Sequence, residues 1–131
     1  MVSRIAVIIS LYRNDTIEFV TLAVESILNQ SYTDFDLYIQ YDGPIKDEVD
    51  AYLSHLKDKR IHIYKRLENK GLAQSLNDLL KIVKPLEYDY IARMDADDIS
   101  TTDRFEKQIH YLQSHSHIDM VGGAINEIDE N

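Results

Sequence analysis

Apolar and polar positions along the chain fall into blocks of two alternating periods. Ile5-Ala6-Val7-Ile8-Ile9 is an unbroken apolar run rich in β-branched residues, the pattern of a strand buried on both faces as in a parallel sheet. Ser10-Leu11-Tyr12-Arg13-Asn14 closes it in a polar loop. Asp15-Thr16-Ile17-Glu18 then has the spacing of a capping box, and Phe19, Val20, Ala23, Val24, Ile27 and Leu28 recur at helical intervals up to about Asn29-Gln30-Ser31. Phe35 to Tyr41 alternates like a second strand and meets a turn at Asp42-Gly43-Pro44. Val49, Leu53 and Leu56 mark a short helix, and Ile61-His62-Ile63-Tyr64 a third strand. Asn69-Lys70-Gly71 opens a third helix with Leu72, Leu76, Leu79, Leu80 and Val83 expected on its buried side, ended by Pro85. Tyr90-Ile91-Ala92-Arg93 predicts a fourth strand, and a second capping box, Asp103-Arg104-Phe105-Glu106, starts a helix carrying Phe105, Ile109 and Leu112. Met120-Val121-Gly122-Gly123-Ala124-Ile125 predicts a fifth strand, after which Asn126 to Asn131 runs polar, with Glu127, Asp129 and Glu130 as a solvated end.

Strands alternating with helices imply βαβ units on a mostly parallel sheet with helices on both faces and right-handed crossovers, an α/β fold. At 131 residues the chain suffices for one domain with a real core. No repeat, linker or low-complexity segment divides it. Nothing at Met1-Val2-Ser3-Arg4 resembles a signal peptide, so the mature chain is expected to start there.

The charge balance narrows the chemistry. A net charge of −9 with no Lys/Arg block argues against nucleic acid as a partner, whose binding rests on cationic contacts to phosphate. The absence of cysteine removes disulfides, thiolate metal sites and a Cys nucleophile. His115 and His117 form a His-x-His with no carboxylate at a known ligand spacing, and His55, His62 and His110 read as structural or solvated.

What stands out is the end of the fourth strand. Met94-Asp95-Ala96-Asp97-Asp98 packs three carboxylates into four positions, too early to cap the helix at Asp103. Such crowding is costly without a cation. Mg²⁺ or Mn²⁺, which take oxygen ligands and are commonly held by one or two carboxylates together with substrate phosphates, would neutralise it. A plain acidic turn is the alternative. In open α/β sheets the loops after the strands line one rim, and Tyr12, Asp42 and Asp95 to Asp98 would share a crevice if the fourth strand lies beside the first with the second on its other side. There a Tyr ring could stack on a base and an Asp could accept a base N–H. Singly, Tyr12 also fits half-buried packing, and Asp42 a simple turn residue.

In order and spacing, Ile8-Ile9-Ser10-Leu11-Tyr12, Tyr41-Asp42-Gly43, Asn69-Lys70-Gly71-Leu72-Ala73-Gln74-Ser75-Leu76-Asn77, and Asp95-Ala96-Asp97-Asp98-Ile99 through Asp103-Arg104-Phe105 resemble the family 2 glycosyltransferases of Rossmann-like GT-A fold. The likeness covers nearly the whole chain and is nearest to bacterial enzymes that build capsule, lipopolysaccharide or other surface glycans. It implies an inverting transfer from a nucleotide-diphosphate sugar, a UDP-sugar by the Asp42 analogy, to a glycan or lipid-linked hydroxyl. By this resemblance Ser10, Leu11 and Tyr12 would border the base and Asp42 would accept the uracil N–H. Asn69, Lys70 and Gly71 would approach the nucleoside or diphosphate. Asp95, with Ala96 beside it, would hold the ribose and, with Asp97, the Mn²⁺ or Mg²⁺ that bridges the diphosphate. Asp98 would stand behind the metal or face the acceptor.

The pattern departs from the family at several positions. The first loop has Ser10-Leu11-Tyr12 where Pro-x-Tyr or Thr-x-Tyr is common, the turn lacks one Asp of the usual Asp-Asp-Gly-Ser, and Leu76 stands where an Arg often precedes Asn77. The missing phosphate or ribose contact would fall to Arg66, Lys70 or Arg93, the last of which could instead simply neutralise neighbouring acids. The family's general base lies in an acceptor-binding half beyond the Asp-x-Asp. The expectation is therefore a donor-binding portion, truncated before that half and poor in transfer without it, located in the cytoplasm with peripheral attachment at the inner face of the membrane left open. A sugar-phosphate nucleotidyltransferase would show a Gly-rich first loop, which Ser10 to Asp15 lacks. An aspartyl phosphatase would carry its Asp-x-Asp after the first strand. A non-catalytic nucleotide-binding domain is the third alternative.

Overall fold

Ile5, Val7, Ile9 and Leu11 of the first strand bury their side chains on one side of the sheet and Ala6 and Ile8 on the other, so this strand needs cover on both faces and receives it. The computed structural model describes residues 3–123. Its elements are β1 (Ile5–Leu11), α1 (Ile17–Leu28), β2 (Phe35–Tyr41), α2 (Asp47–His55), β3 (Ile61–Lys65), α3 (Leu72–Val83), a 3-10 turn at Lys84–Leu86 that contains Pro85, β4 (Tyr90–Arg93) and α4 (Arg104–Ser114). The four strands form one parallel sheet in the order β3-β2-β1-β4.

Helices α1, α2 and α4 contribute Val20, Ala23, Val24, Ile27, Val49, Leu53, Phe105 and Ile109 to the larger core on one face. Helix α3 covers the other face with Leu79 and Val83. The α/β architecture with helices on both faces is thus the one expected, and β2 has the predicted bounds. Its alternation does not mean a half-exposed strand, however. Tyr38 and Gln40 are buried because their polar ends find partners: Tyr38 meets the Tyr88 hydroxyl at 2.7 Å, and Gln40 Nε2 donates to the Tyr41 and Tyr64 carbonyls at 3.1 and 3.3 Å.

Other expectations are corrected. On α3 the buried row is Ser75, Leu79 and Val83; Leu76 and Leu80 are only partly covered, and Leu72 is exposed. The face is rotated because the Ser75 hydroxyl is drawn inward by Arg66 at 2.8 Å. No strand is formed by Met120, Val121, Gly122 or Gly123; Ala124, Ile125 and the acidic end with Glu127, Asp129 and Glu130 lie outside the described residues.

Neither capping box closes. Thr16 and Asp103 occupy the two N-cap positions without a side-chain cap, because Asp15 turns back to the Tyr12 N–H at 2.8 Å and Glu106 accepts from the Ser31 hydroxyl at 2.8 Å. The first turn of α4 is capped instead from the segment that follows α1. Buried Gln30 accepts the Phe105 N–H at 3.0 Å and donates to the Ser26 and Thr101 carbonyls at 3.0 and 2.6 Å. Gln30→Ala would leave the Phe105 N–H without its partner in the core. A loss of about 2 kcal/mol is expected in urea denaturation, the usual penalty for a buried orphaned donor.

Candidate functional site

The strand order reverses at β1, with β2 on one side and β4 on the other, and a cavity of about 620 Å³ opens at the C-terminal ends of these strands. The end of β1 supplies Ser10, the loop after it Tyr12, Arg13 and Asp15, and the turn after β2 supplies Asp42. Asn69, Gly71 and Leu72 form the wall at the start of α3, and Asp95, Ala96 and Asp97 the wall after β4. A second hollow of about 540 Å³ runs along α4 against residues 118–123, where Lys107 is the one charged lining residue. It has no acid, base or nucleophile arranged around a common point.

The acidic wall is set by the chain on either side of it. Met94 is buried, its N–H continues the ladder onto Ile8 O at 3.1 Å, and its sulfur lies near Ser100 Oγ and Arg104 Nη1 at 3.1 and 3.4 Å. Arg104 also donates to the Arg93 carbonyl at 3.0 Å, tying α4 to the start of the loop. A turn closed by Asp98 N–H on Asp95 O at 3.2 Å then brings carboxylate oxygens of Asp95, Asp97 and Asp98 within 4.8 Å of one another. All three are exposed, and among the described residues this is the one such group of possible metal ligands. Three oxygen donors with open sides suit a hard cation that keeps waters or phosphate oxygens in its remaining positions. Local burial, then repulsion from Asp95 and Asp97, raises the pKa of Asp98, with Arg104 pulling the other way. Arg93 reaches Asp95 at 3.4 Å, which fits its plainer role of neutralising neighbours.

Asp15 faces this wall from the loop after β1. Burial raises its pKa against the Tyr12 N–H that it accepts, and Asp97 adds repulsion. The Asp15 N–H returns to Tyr12 O at 3.1 Å, so the two residues lock each other and hold the half-exposed Tyr12 ring at the cavity mouth. Four acids thus surround the space and Arg13 is the one cation on its lining, which leaves a field hostile to an anion unless a cation enters with it.

Asp42 is placed differently from the acids of β4. It is 4 % exposed, and its Oδ1 accepts from Arg66 Nη2 and from the Lys70 N–H at 2.7 Å, its Oδ2 from the Gly71 N–H at 3.0 Å. Burial opposes ionisation, but these donors together outweigh it and hold the carboxyl below its ordinary range. Arg66 in turn donates to Asp78 at 2.6 Å, Ser75 at 2.8 Å and the Glu68 carbonyl at 3.0 Å. Its guanidinium is committed within the protein and is not free for a phosphate. Lys70 gives its backbone to Asp42 while its side chain is exposed and absent from the lining. Leu11 sits wholly in the larger core, since it continues the inward row of Ile5, Val7 and Ile9; only its backbone approaches the rim, where its carbonyl takes the Asp42 N–H at 2.7 Å.

The cavity therefore brings together Ser10, Tyr12, Asp42, Asn69, Gly71, Asp95, Ala96 and Asp97 from the sequence reading, with Asp98 in the adjoining acid group. Arg13, Asp15 and Leu72 were not singled out. Asp15 could have been, since an Asp three residues after Tyr12 in a loop can satisfy a backbone N–H there as readily as cap a helix. The histidines stay outside: His115 stacks on Tyr111 at 4.1 Å, His62 on Tyr38 at 4.7 Å, and His55 contacts the Ala51 carbonyl at 2.6 Å.

Comparison with known proteins gives concordant findings. The sequence profile of the family described as "Glycosyl transferase family 2" matches residues 6–131. The chain is 38 % identical to the O-antigen biosynthesis glycosyltransferase WbnJ of Escherichia coli, covering 100 % of this chain and 50 % of that protein. To the amylovoran biosynthesis glycosyltransferase AmsE of Erwinia amylovora it is 34 % identical, over 96 % of this chain and 47 % of that protein. It spans about half the length of these relatives. In fold it is similar to S. aureus TarS 1-349 solved in complex with UDP-GlcNAc, with a TM-score of 0.74 at 16 % identity over 86 % of this chain and 32 % of that one. The mannosyltransferase PcManGT from Pyrobaculum calidifontis, in complex with GDP-Man and Mn²⁺, gives a TM-score of 0.69 at 16 % identity, over 82 % and 32 % of the two chains.

Proposed function

Since the chain belongs to glycosyl transferase family 2, we propose that it forms the donor-binding part of an enzyme that moves a sugar from a nucleotide-diphosphate donor to a hydroxyl of a glycan or lipid-linked acceptor. The observation that carries this reading is the acid group of Asp95, Asp97 and Asp98 on one wall of a cavity at the reversal of strand order, opposite an exposed tyrosine. Tyr12 stacks on the base, the Asn69 to Gly71 wall follows the nucleoside, and Asp95 accepts the ribose hydroxyls. Asp97 and Asp95 hold Mn²⁺ or Mg²⁺. That ion, when bound, supplies Lewis-acid stabilisation to the departing diphosphate. Arg13 adds a positive side chain on the rim where the phosphates enter.

Uridine is the favoured base, supported by TarS having been solved with UDP-GlcNAc; guanosine is the competitor, as in PcManGT. Inversion requires a general base within hydrogen-bond reach of the attacking hydroxyl. We assign that base to a part of the protein outside this chain, with Asp98 turned towards the acceptor side. No helix among the described residues is long and apolar enough to cross a membrane. A peripheral encounter at the inner membrane face suits a lipid-linked acceptor.

Calorimetric titration of UDP, GDP and CDP, with and without Mn²⁺, into wild type and Asp97→Ala tests this. Metal-dependent binding is expected for wild type, weakened at least about tenfold in the variant, since one of few charged ligands is lost. Without metal the variant should melt no lower than wild type, because removing an exposed acid relieves repulsion among neighbours. Nucleotide binding indifferent both to the metal and to the substitution would overturn the proposal, as would no binding at all.

A further inference from the structure

Arg104 stands in the first turn of α4, behind the acidic wall and outside the cavity lining. Its guanidinium spans the loop that carries the acids. Nη2 donates to the Arg93 carbonyl at 3.0 Å, ahead of Asp95, and Nη1 donates to Ser100 Oγ at 3.0 Å, beyond Asp98. Nε donates to Gln108 Oε1 at 3.2 Å, one turn further along the same helix, which leaves the fork little freedom to rotate. The far end of the loop has a second anchor in the Ser100 N–H, which donates to Ser26 Oγ of α1 at 3.0 Å. Between these anchors the acids themselves are exposed, and among the described residues the one donor that reaches their carboxylates is Arg93, at 3.4 Å from Asp95. The path of the loop, rather than bonds to the carboxylates, therefore decides where their oxygens meet.

We propose that Arg104 is a positioning residue for the metal: by joining the Arg93 carbonyl to the Ser100 hydroxyl it holds the intervening loop in the one conformation that turns Asp95, Asp97 and Asp98 towards a common point. This rests on the donor-site reading above. A guanidinium is planar with donors in a rigid fork, whereas a lysine brings the same charge on a flexible stem with no fixed span. Charge and span act in opposite directions here. A positive charge behind the acids repels an incoming cation, so an arginine that mattered only by its charge would weaken the site, and removing it would tighten metal binding. An arginine that matters by its span strengthens the site, and metal binding loosens when the span is lost.

The experiment is calorimetric titration of UDP and GDP at stepped Mn²⁺ concentrations into wild type, Arg104→Lys, Arg104→Met and Ser100→Ala, reading the Mn²⁺ concentration at half-maximal binding, with melting temperatures recorded for each. Arg104→Lys is expected to need about tenfold more Mn²⁺, the low end of the loss seen when a group that orients metal ligands is altered. Arg104→Met should need more than wild type but less than Arg104→Lys, because relief of the repulsion offsets part of the loss. Saturating Mn²⁺ should restore nucleotide affinity in both. A purely structural role would lower the melting temperature and leave the Mn²⁺ requirement of the folded protein unmoved. An unchanged requirement in Arg104→Lys, or a lower one in Arg104→Met, would overturn the inference. If neither Arg104 variant folds, Ser100→Ala decides: it removes only the far acceptor and keeps the Ser100 N–H on Ser26, so a rise of about threefold is expected, the scale of one ordinary hydrogen bond, and no rise would overturn the inference. Wild type that binds neither nucleotide, or binds them without regard to Mn²⁺, would overturn the donor-site reading and this inference with it, a result visible before any variant is compared.

Discussion

Arg66→Met will cost about 3 kcal/mol of folding stability, read as a lowered urea midpoint. Removing one partner of a buried ion pair leaves the other charged without compensation, for which about 3–5 kcal/mol is usual. Here the lower end applies. Asp42 keeps the Lys70 and Gly71 N–H groups, and Asp78 has side-chain exposure of 29 % through which water can reach it. The substitution conserves much of the stem volume, so the effect reads the guanidinium rather than a cavity. The acid limb gives an independent check. Because the folded pKa of Asp42 is depressed, its stabilisation is complete above the unfolded value of about 3.9 and is lost as pH falls through the lower folded value. Wild type should therefore shed this contribution only below about pH 4, and less of it should be present to lose in Arg66→Met.

The second large effect is expected at a glycine. Gly43 has φ +78, and a Cβ there would sit 2.7 Å from Asn69 N and 3.1 Å from Asn69 Cα, both backbone atoms that cannot rotate away. Gly43→Ala combines the roughly 1–2 kcal/mol of an L-residue held in the left-handed region with an overpacking penalty of about 1–3 kcal/mol. A total near 3 kcal/mol follows, measurable by urea denaturation. Gly71→Ala is the control. Gly71 has φ +93 and ψ 164, a region essentially restricted to glycine, but nothing within 4 Å of the added carbon, so the conformational part stands alone and the loss should be about 1–3 kcal/mol.

The strands and helices were legible because burial dictates residue type over whole segments. Ile5 to Ile9 reads as a strand covered on two sides, and the structure covers it so; the short apolar run before the Asp-x-Asp likewise ends as β4. Polar details followed a different logic. A capping-box spacing states what a side chain could bond within its own helix, yet Asp15 and Glu106 found partners on other segments, and Gln30, which carries no capping signal for a helix beyond residue 100, became the cap of α4. Ser75 on the inner row of α3 is the same kind of case, drawn in by an arginine nine residues earlier. The rim position of Asp42 was visible in the sequence; its three donors were not, because all of them arrive on the irregular segment between β3 and α3, whose path no periodicity encodes.

Pairing of β1 with β4 joins Ile5 to Tyr90 and Ala6 to Ile91, whereas β1 meets β2 about thirty residues along the chain. Closing the longer loop costs more chain entropy, and distant pairings form slowly. The acidic wall thus joins the remainder of the site among the last steps of refolding. In a stopped-flow experiment, recovery of Mn²⁺-dependent nucleotide binding should lag the return of helical signal, so that the protein regains its outline before it regains its appetite for ligand.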